Sequence, residues 1–251
     1  MSISMAGRSL LGLAGLLALV LSVVAVMPGK ASARALLLTT ENYPPFNMQA
    51  EGSQRIIGIS TDIVRKLMVR AGINYSIKFL PWQRAYGMAL KREDTCVFST
   101  TLTEERRDKF KWVGPLVSND WVFFGRADSE LEIASLEDAR AFVVGGYKGD
   151  AVAVYLEHQG FQLDLASHDH VNPAKLSAGR FEIWATGNHL GPYLASQAGV
   201  EIRPLFTFKE TVMSLACNHS VEDQLIERLN ALLEELVEDG SVAEVMARYQ
   251  G

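Results

Sequence analysis

From Ala35 onward the apolar positions change period at short intervals, and each change predicts an element. "ALLLTT" is a compact apolar run of strand type. "STDIVRKLMVRAG" spaces Ile63, Leu67 and Ala71 as a helix does, between a Ser/Thr start and Gly72, and "YSIKFL" alternates again. "WQRAYGMALK" predicts the next helix and "TCVFST" the next strand. Strand and helix in alternation predict a parallel sheet covered by helices. After "VGPLVSNDWVFFGRADSELEIASLEDA", where the pattern assigns no element, a second series begins. It runs through strand "AFVVGG", helix "GDAVAVYLEHQG", strand "FQLDL", helix "VNPAKLSAG" and strand "FEIWAT". The chain ends with a strand, "TVMSLACN", a helix whose Leu225, Leu229, Leu232, Leu233 and Leu236 form one apolar stripe, and a short helix "SVAEVMARYQ". Two α/β series predict two lobes.

The first residues follow another rule. Arg8 precedes an apolar run from Leu10 to Val26, and "MPGKASA" follows, with Ala31 and Ala33 as the small residues a signal peptidase reads. Residues 1–33 are therefore expected to be a cleaved signal peptide, against the competing reading of a membrane anchor. The remaining 218 of 251 residues carry 22 basic and 29 acidic side chains, a net charge of −7. That acidity argues against nucleic acid and anionic lipid as partners. Export places Cys96 and Cys217 in an oxidising compartment, where they either pair or serve as two small buried hydrophobes. Nothing in their spacing resembles a zinc pattern.

In parallel sheets the ligand sits beyond the carboxyl ends of the strands, so those loops hold the candidate chemistry. "ENYPPFN" offers Tyr43 and Phe46 as either a packed aromatic turn or a stacking platform. "PWQRAYG" offers Trp82 and Arg84, the latter as a carboxylate partner or a surface residue. In "STTLTEERRDKF", Thr103, Glu104 and Glu105 have the pattern of a capped helix start, and Ser99, Thr100 and Thr101 bring hydroxyls to the same corner. An arginine in that first turn adds a fork that fits a carboxylate, but spacing leaves open whether Arg106 or Arg107 turns inward.

The order "TTENYPPFN", "GISTDIVRKLM", "FLPWQRA", "TLTEERRDKFKWVGP", "SLEDA", "VGGYKGDA", "LSAGRFEIWAT" and "LNALLEELVEDGSVAEVMARY" resembles the family 3 extracellular solute-binding proteins, the polar amino acid receptors of ABC importers. The resemblance covers essentially all of the chain after residue 33. It implies an α/β, two-lobed periplasmic-binding-protein-like fold of type II, each lobe a mostly parallel sheet flanked by helices, with a hinged cleft. Residues 34–117 plus 212–251 would form lobe 1, and 118–211 lobe 2 with the hinge strands. It also implies that Tyr43 and Trp82 sandwich the ligand, that Ser99 and Thr101 hydrogen-bond its carboxylate, and that Arg106 pairs with it.

Two positions depart from the family pattern. Gly187 stands where the family usually has an aspartate for an α-ammonium group, with no acid nearby and only Asn188 to offer a neutral hydrogen bond. Lys148 stands where the family often uses a hydroxyl, ahead of Asp150 as an expected N-cap. Arg84, Arg106 and Lys148 without a facing acid favour an anionic or polar, carboxylate-bearing ligand. The implied function is a monomeric periplasmic receptor that delivers its solute to the membrane permease of an ABC importer, with no cofactor and no metal. The alternatives are a sensory receptor for a signalling partner and a periplasmic enzyme on the same scaffold. Catalysis has only Glu182 and His189 as acid/base candidates, with no nucleophile motif, so the expectation is no enzyme. His168 and His170 in "SHDH" form too small a set for a metal.

Overall fold

The computed structural model describes residues 35–249, and the expected signal segment, residues 1–33, lies outside them. In chain order the strands and helices are β1 Leu36–Thr40, β2 Met48–Gln49, β3 Ile56–Ile57, α1 Ile59–Ala71, β4 Tyr75–Phe79, α2 Trp82–Lys91, β5 Thr95–Thr101 and α3 Glu104–Arg107. They continue with β6 Lys111–Ser118, β7 Trp121–Arg126, α4 Leu136–Ala139, β8 Val144–Tyr147, α5 Ala151–His158, β9 Leu163–Ala166, α6 Asn172–Ser177 and β10 Ile183–Gly187. The last are α7 Leu190–Gln197, β11 Ile202–Lys209, β12 Val212–Cys217, α8 Asp223–Glu238 and α9 Ser241–Ala247.

β2 and β3 form a separate antiparallel pair, and the other ten strands make two five-stranded sheets, ordered β4-β1-β5-β12-β6 and β11-β7-β10-β8-β9. In each, the segments that read as strand-helix-strand pair in parallel: β4, β1 and β5 in the first, β10, β8 and β9 in the second. The others are antiparallel, β12 to β5 and β6, and β7 to β10 and β11. The chain crosses between sheets twice, through Asn119-Asp120 and through Glu210-Thr211. The crossings bind each other: Asn119 N–H donates to the Thr211 carbonyl at 2.9 Å, and the Thr211 hydroxyl donates to the Asn119 carbonyl at 2.5 Å.

The stretch that showed no periodicity holds β6, β7 and α4, and β11 also went unread. β7 is buried on both faces, β6 mixes buried, half-buried and exposed positions and β11 half-buried and exposed ones, neither with a period of two, so no alternation marks them. The helix expected to start on Ser60 instead starts at Ile59 after Gly58. The Ser60 and Thr61 hydroxyls are buried without a hydrogen-bond partner. Gly58 has φ 129°, and a Cβ there would lie 2.3 Å from the Phe46 carbonyl oxygen, so only glycine permits this approach. The leucine stripe of α8 behaves as its spacing predicts: Leu229, Leu233 and Leu236 are buried, and Leu225 and Leu232 pack beside them. Cys96 and Cys217 are register partners on β5 and β12 and form a disulfide. Among the described residues no helix is long and apolar enough to cross a membrane.

Candidate functional site

The carboxyl ends of β1 and β5 and the starts of α2 and α3 face the starts of α5 and α7 and the Asp169 turn across the gap between the sheets. Trp82 on α2 donates its indole N–H to the Gly149 carbonyl at 3.0 Å, and the Tyr147 hydroxyl donates to Glu41 Oε2 at 3.2 Å. His158 on α5 pairs with Glu105 on α3. The gap is therefore closed by contacts from both sides. It retains one cavity of about 440 Å³ beside Trp82, Tyr86, Arg106, Gly149 and Ala151, and one of about 280 Å³ beside Glu41, Tyr43, Tyr147 and Asp169.

The short helix α3 separates its two arginines. Arg107 reaches back to Glu104 one turn earlier at 2.6 Å and is exposed. Arg106, at the next position round the helix, turns inward and is only 8% exposed. Its guanidinium carbon lies 5.2 Å from the ring centres of both Trp82 and Tyr86, and its one hydrogen bond, to the Thr101 carbonyl, is long at 3.5 Å. Among the described residues no carboxylate oxygen comes within 4.0 Å of it. Burial pulls its pKa down, against an opposing pull from Asp150.

Facing it are three half-buried carboxyl groups. Asp150 caps α5, accepting from the Ala151 N–H at 2.7 Å, and lies between the cavity-lining residues Gly149 and Ala151. Burial, then the neighbouring Asp169, pushes Asp150 up to about 6. Burial and the Asp150 charge raise Glu41 well above the carboxylate range, and the same two causes raise the Tyr43 phenol. Asp169 is also raised by burial, although it accepts hydrogen bonds from Asn172, Trp184 and Thr186.

This overturns the expectation that no acid faces the arginine corner. Gly187 carries no carboxylate, but Asp169 is bonded to its neighbour Thr186 at 3.0 Å. The glycine is dictated by packing: a Cβ at position 187 would lie 2.3 Å from Asn119 Oδ1. That oxygen and Asn188 Oδ1 are buried acceptors without partners, while Asn188 N–H binds the Asp120 carbonyl. Sequence reasoning missed Glu41, Asp150 and Asp169 as a group because each has a local explanation, respectively a turn, a helix cap and a solvated loop. The usable signal was their common position at strand ends.

Of the eight expected site residues, Trp82 and Arg106 line the larger cavity and Tyr43 the smaller. Tyr43 is buried, stacks on Phe46 at 6.0 Å and accepts from Asn119 Nδ2 at 3.2 Å. Thr101 is buried beneath Arg106, and Ser99, at φ 58°, donates its hydroxyl to Asn47 Oδ1. Two expectations fail. Arg84 and Lys148 are exposed and line neither cavity, because α2 turns Trp82 inward and Arg84 outward, and the β8 loop bonds inward only through the Lys148 backbone. Glu182 and His189 are also exposed.

Residues 36–251 match the model of the bacterial extracellular solute-binding proteins, family 3. A probable amino-acid ABC transporter-binding protein of Haemophilus influenzae is 24% identical over 233 residues, 87% of this chain and 85% of that one. The L-cystine-binding protein TcyA of Bacillus subtilis is 20% identical over 232 residues, 85% of this chain and 80% of that one. Among solved structures, a histidine kinase sensor domain with similarity to periplasmic binding proteins superposes with a TM-score of 0.79 at 18% identity, covering 87% of this chain and 96% of that one. An ancestral arginine-binding protein bound to glutamine gives 0.74 at 20% identity, covering 86% and 98%. At such identities the structural likeness shows the fold.

Proposed function

Because the chain belongs to the bacterial extracellular solute-binding proteins of family 3, we propose that it is a periplasmic receptor. It closes on a zwitterionic α-amino acid and presents it to the permease of an ABC importer. The lobes would meet at the two crossings, 118–121 and 209–212, which act as the hinge. The observation that carries the reading is one buried cation and one half-buried acid held on opposite sides of the gap without an ion pair among the described residues: Arg106 from α3 and Asp150 from the start of α5. A ligand with carboxylate and ammonium on one carbon would pair with both and draw the two sides together. Charge-assisted hydrogen bonds at each end contribute about 1.5–3 kcal/mol each. A purely anionic ligand would satisfy Arg106 and leave Asp150, Asp169 and Glu41 facing negative charge.

The test is titration calorimetry of the exported protein against the L-amino acids, followed by the N-acetyl and methyl-ester derivatives of the tightest binder. Each derivative should bind at least about tenfold more weakly. A derivative that binds as tightly as its parent removes the zwitterion reading.

Protons provide a second check. In the empty closed form Asp150 titrates at about 6, and a bound ammonium favours its carboxylate, pulling that value down. A group that loses its proton on binding contributes affinity that is complete above pH 6 and is lost as pH falls through it. Near pH 6 roughly half a proton should be released per ligand bound. Calorimetry in two buffers of different ionisation heat measures it, and Asp150→Asn should abolish it. Proton uptake by the unmodified protein would exclude an ammonium at Asp150.

A further inference from the structure

The larger cavity continues past Arg106 to a second cation that no expected site residue includes. Lys209, the last residue of β11 beside the hinge crossing, has its ammonium 4.3 Å from the ring centre of Tyr155 on α5 and 5.3 Å from that of Trp121 on β7. Both rings line the same cavity as Arg106. Two aromatic faces hold the lysine by cation–π attraction, which fixes where its charge sits without neutralising it. Trp121 is 1% exposed and packs at a tilt against Phe208, so its ring is held within the core.

The charge inventory of the lining is asymmetric once pairs are removed. Glu104 is engaged by Arg107 and feels Lys209 only as a weaker, longer-range charge, Glu105 is engaged by His158, and the lining holds one further cation, Lys109. Among the described residues, Arg106 and Lys209 have no carboxylate oxygen within 4.0 Å. The cavity of about 440 Å³ falls within the range of small-molecule pockets and exceeds what the α-carbon groups of an amino acid require. A ligand anchored at Arg106 and Asp150 therefore has room to extend its side chain toward an unpaired, aromatic-caged cation.

We infer that Lys209, positioned by Trp121 and Tyr155, is a specificity-determining residue that pairs with an acidic group at the distal end of the ligand side chain, so that the receptor prefers acidic amino acids. This rests on the zwitterion reading, and it adds the substrate class. A neutral side chain would leave the lysine without an anion, and a basic one would face it with like charge.

The experiment titrates the exported protein with L-glutamate, L-2-aminoadipate, L-glutamine, L-arginine and glutarate, and repeats the L-2-aminoadipate and L-glutamine titrations on Lys209→Met and Lys209→Arg. In the unmodified protein the better acidic amino acid should bind at least about tenfold more tightly than L-glutamine or L-arginine. Lys209→Met should cut the L-2-aminoadipate to L-glutamine affinity ratio by about tenfold or more, and Lys209→Arg should keep most of it. L-glutamine or L-arginine binding as tightly as the acidic amino acids overturns the inference and leaves the zwitterion reading standing. So does an unchanged ratio in Lys209→Met. Glutarate binding as tightly as L-glutamate overturns the zwitterion reading, and with it the premise of this one. Binding of none of the amino acids overturns both.

Discussion

Replacing Arg106 with methionine should weaken amino acid binding about a hundredfold while leaving the empty protein at least as stable as before. The first effect follows from removing the only buried cation among the described residues that faces Asp150 across the gap; a lost charge-assisted bond to a buried carboxylate lies at the upper end of the 1.5–3 kcal/mol range. The second follows from the cost of keeping a guanidinium 8% exposed with one long hydrogen bond and no ion pair among the described residues. Methionine keeps the contact with Trp82 and Tyr86 and removes that cost. Calorimetry and thermal melts of the empty form read the two effects separately. A variant that melts several degrees lower but binds normally would show that Arg106 is structural.

Removal of the disulfide should act on stability alone. Cys96 and Cys217 are 121 residues apart, and the closed loop contains the whole second sheet. Constraint of so long a loop in the unfolded chain is worth about 2–5 kcal/mol. The double substitution Cys96→Ala with Cys217→Ala should therefore lower the melting midpoint by roughly 5–15 °C at this size. Neither sulfur lies on the cavity linings, so the dissociation constant for the amino acid should change less than about threefold. Equal melting points with and without reductant would show that the bridge contributes nothing, and the two cysteines would then be the small hydrophobes their apolar runs also allow.

Much of the fold was legible because α1, α2 and α5 carry helical spacing between a start signal and a left-handed glycine or a strand. Gly72 and Gly160, at φ 64° and 79°, are instances of that stop. Of the antiparallel strands β12 was legible as a strand, and β6, β7 and β11 were not. β6 and β11 feed the two crossings; β6 meets β12 only after the whole of the second sheet, and β11 meets β7 only after β8, β9 and β10. The site divided in the same way. A four-residue helix with Glu104 and Arg107 at salt-bridging distance leaves Arg106 free, but the spacing alone did not say so, and only the resemblance chose between the arginines. The acids were hidden because burial, not sequence, makes them unusual. Asp150 is an ordinary cap and Glu41 an ordinary turn residue until the opposite sheet covers them. Arg84 and Lys148 show the converse: strand-end position suggested a role, and their exposure leaves them outside both cavities.

The contact between Gly187 and Asn119 limits the routes by which this lineage could change ligand. A carboxylate at position 187 is a single codon change away from glycine, yet its first carbon would fall on the Asn119 side chain, which sits 1% exposed in the first crossing and bound to Tyr43. Neither substitution is useful first. An aspartate at 187 collides while Asn119 remains, and shortening Asn119 first opens a void at the crossing and removes the donor to the Tyr43 hydroxyl. The two positions therefore have to change together, so the present arrangement of acids is held in place by the order in which mutations can arrive as well as by the ligand.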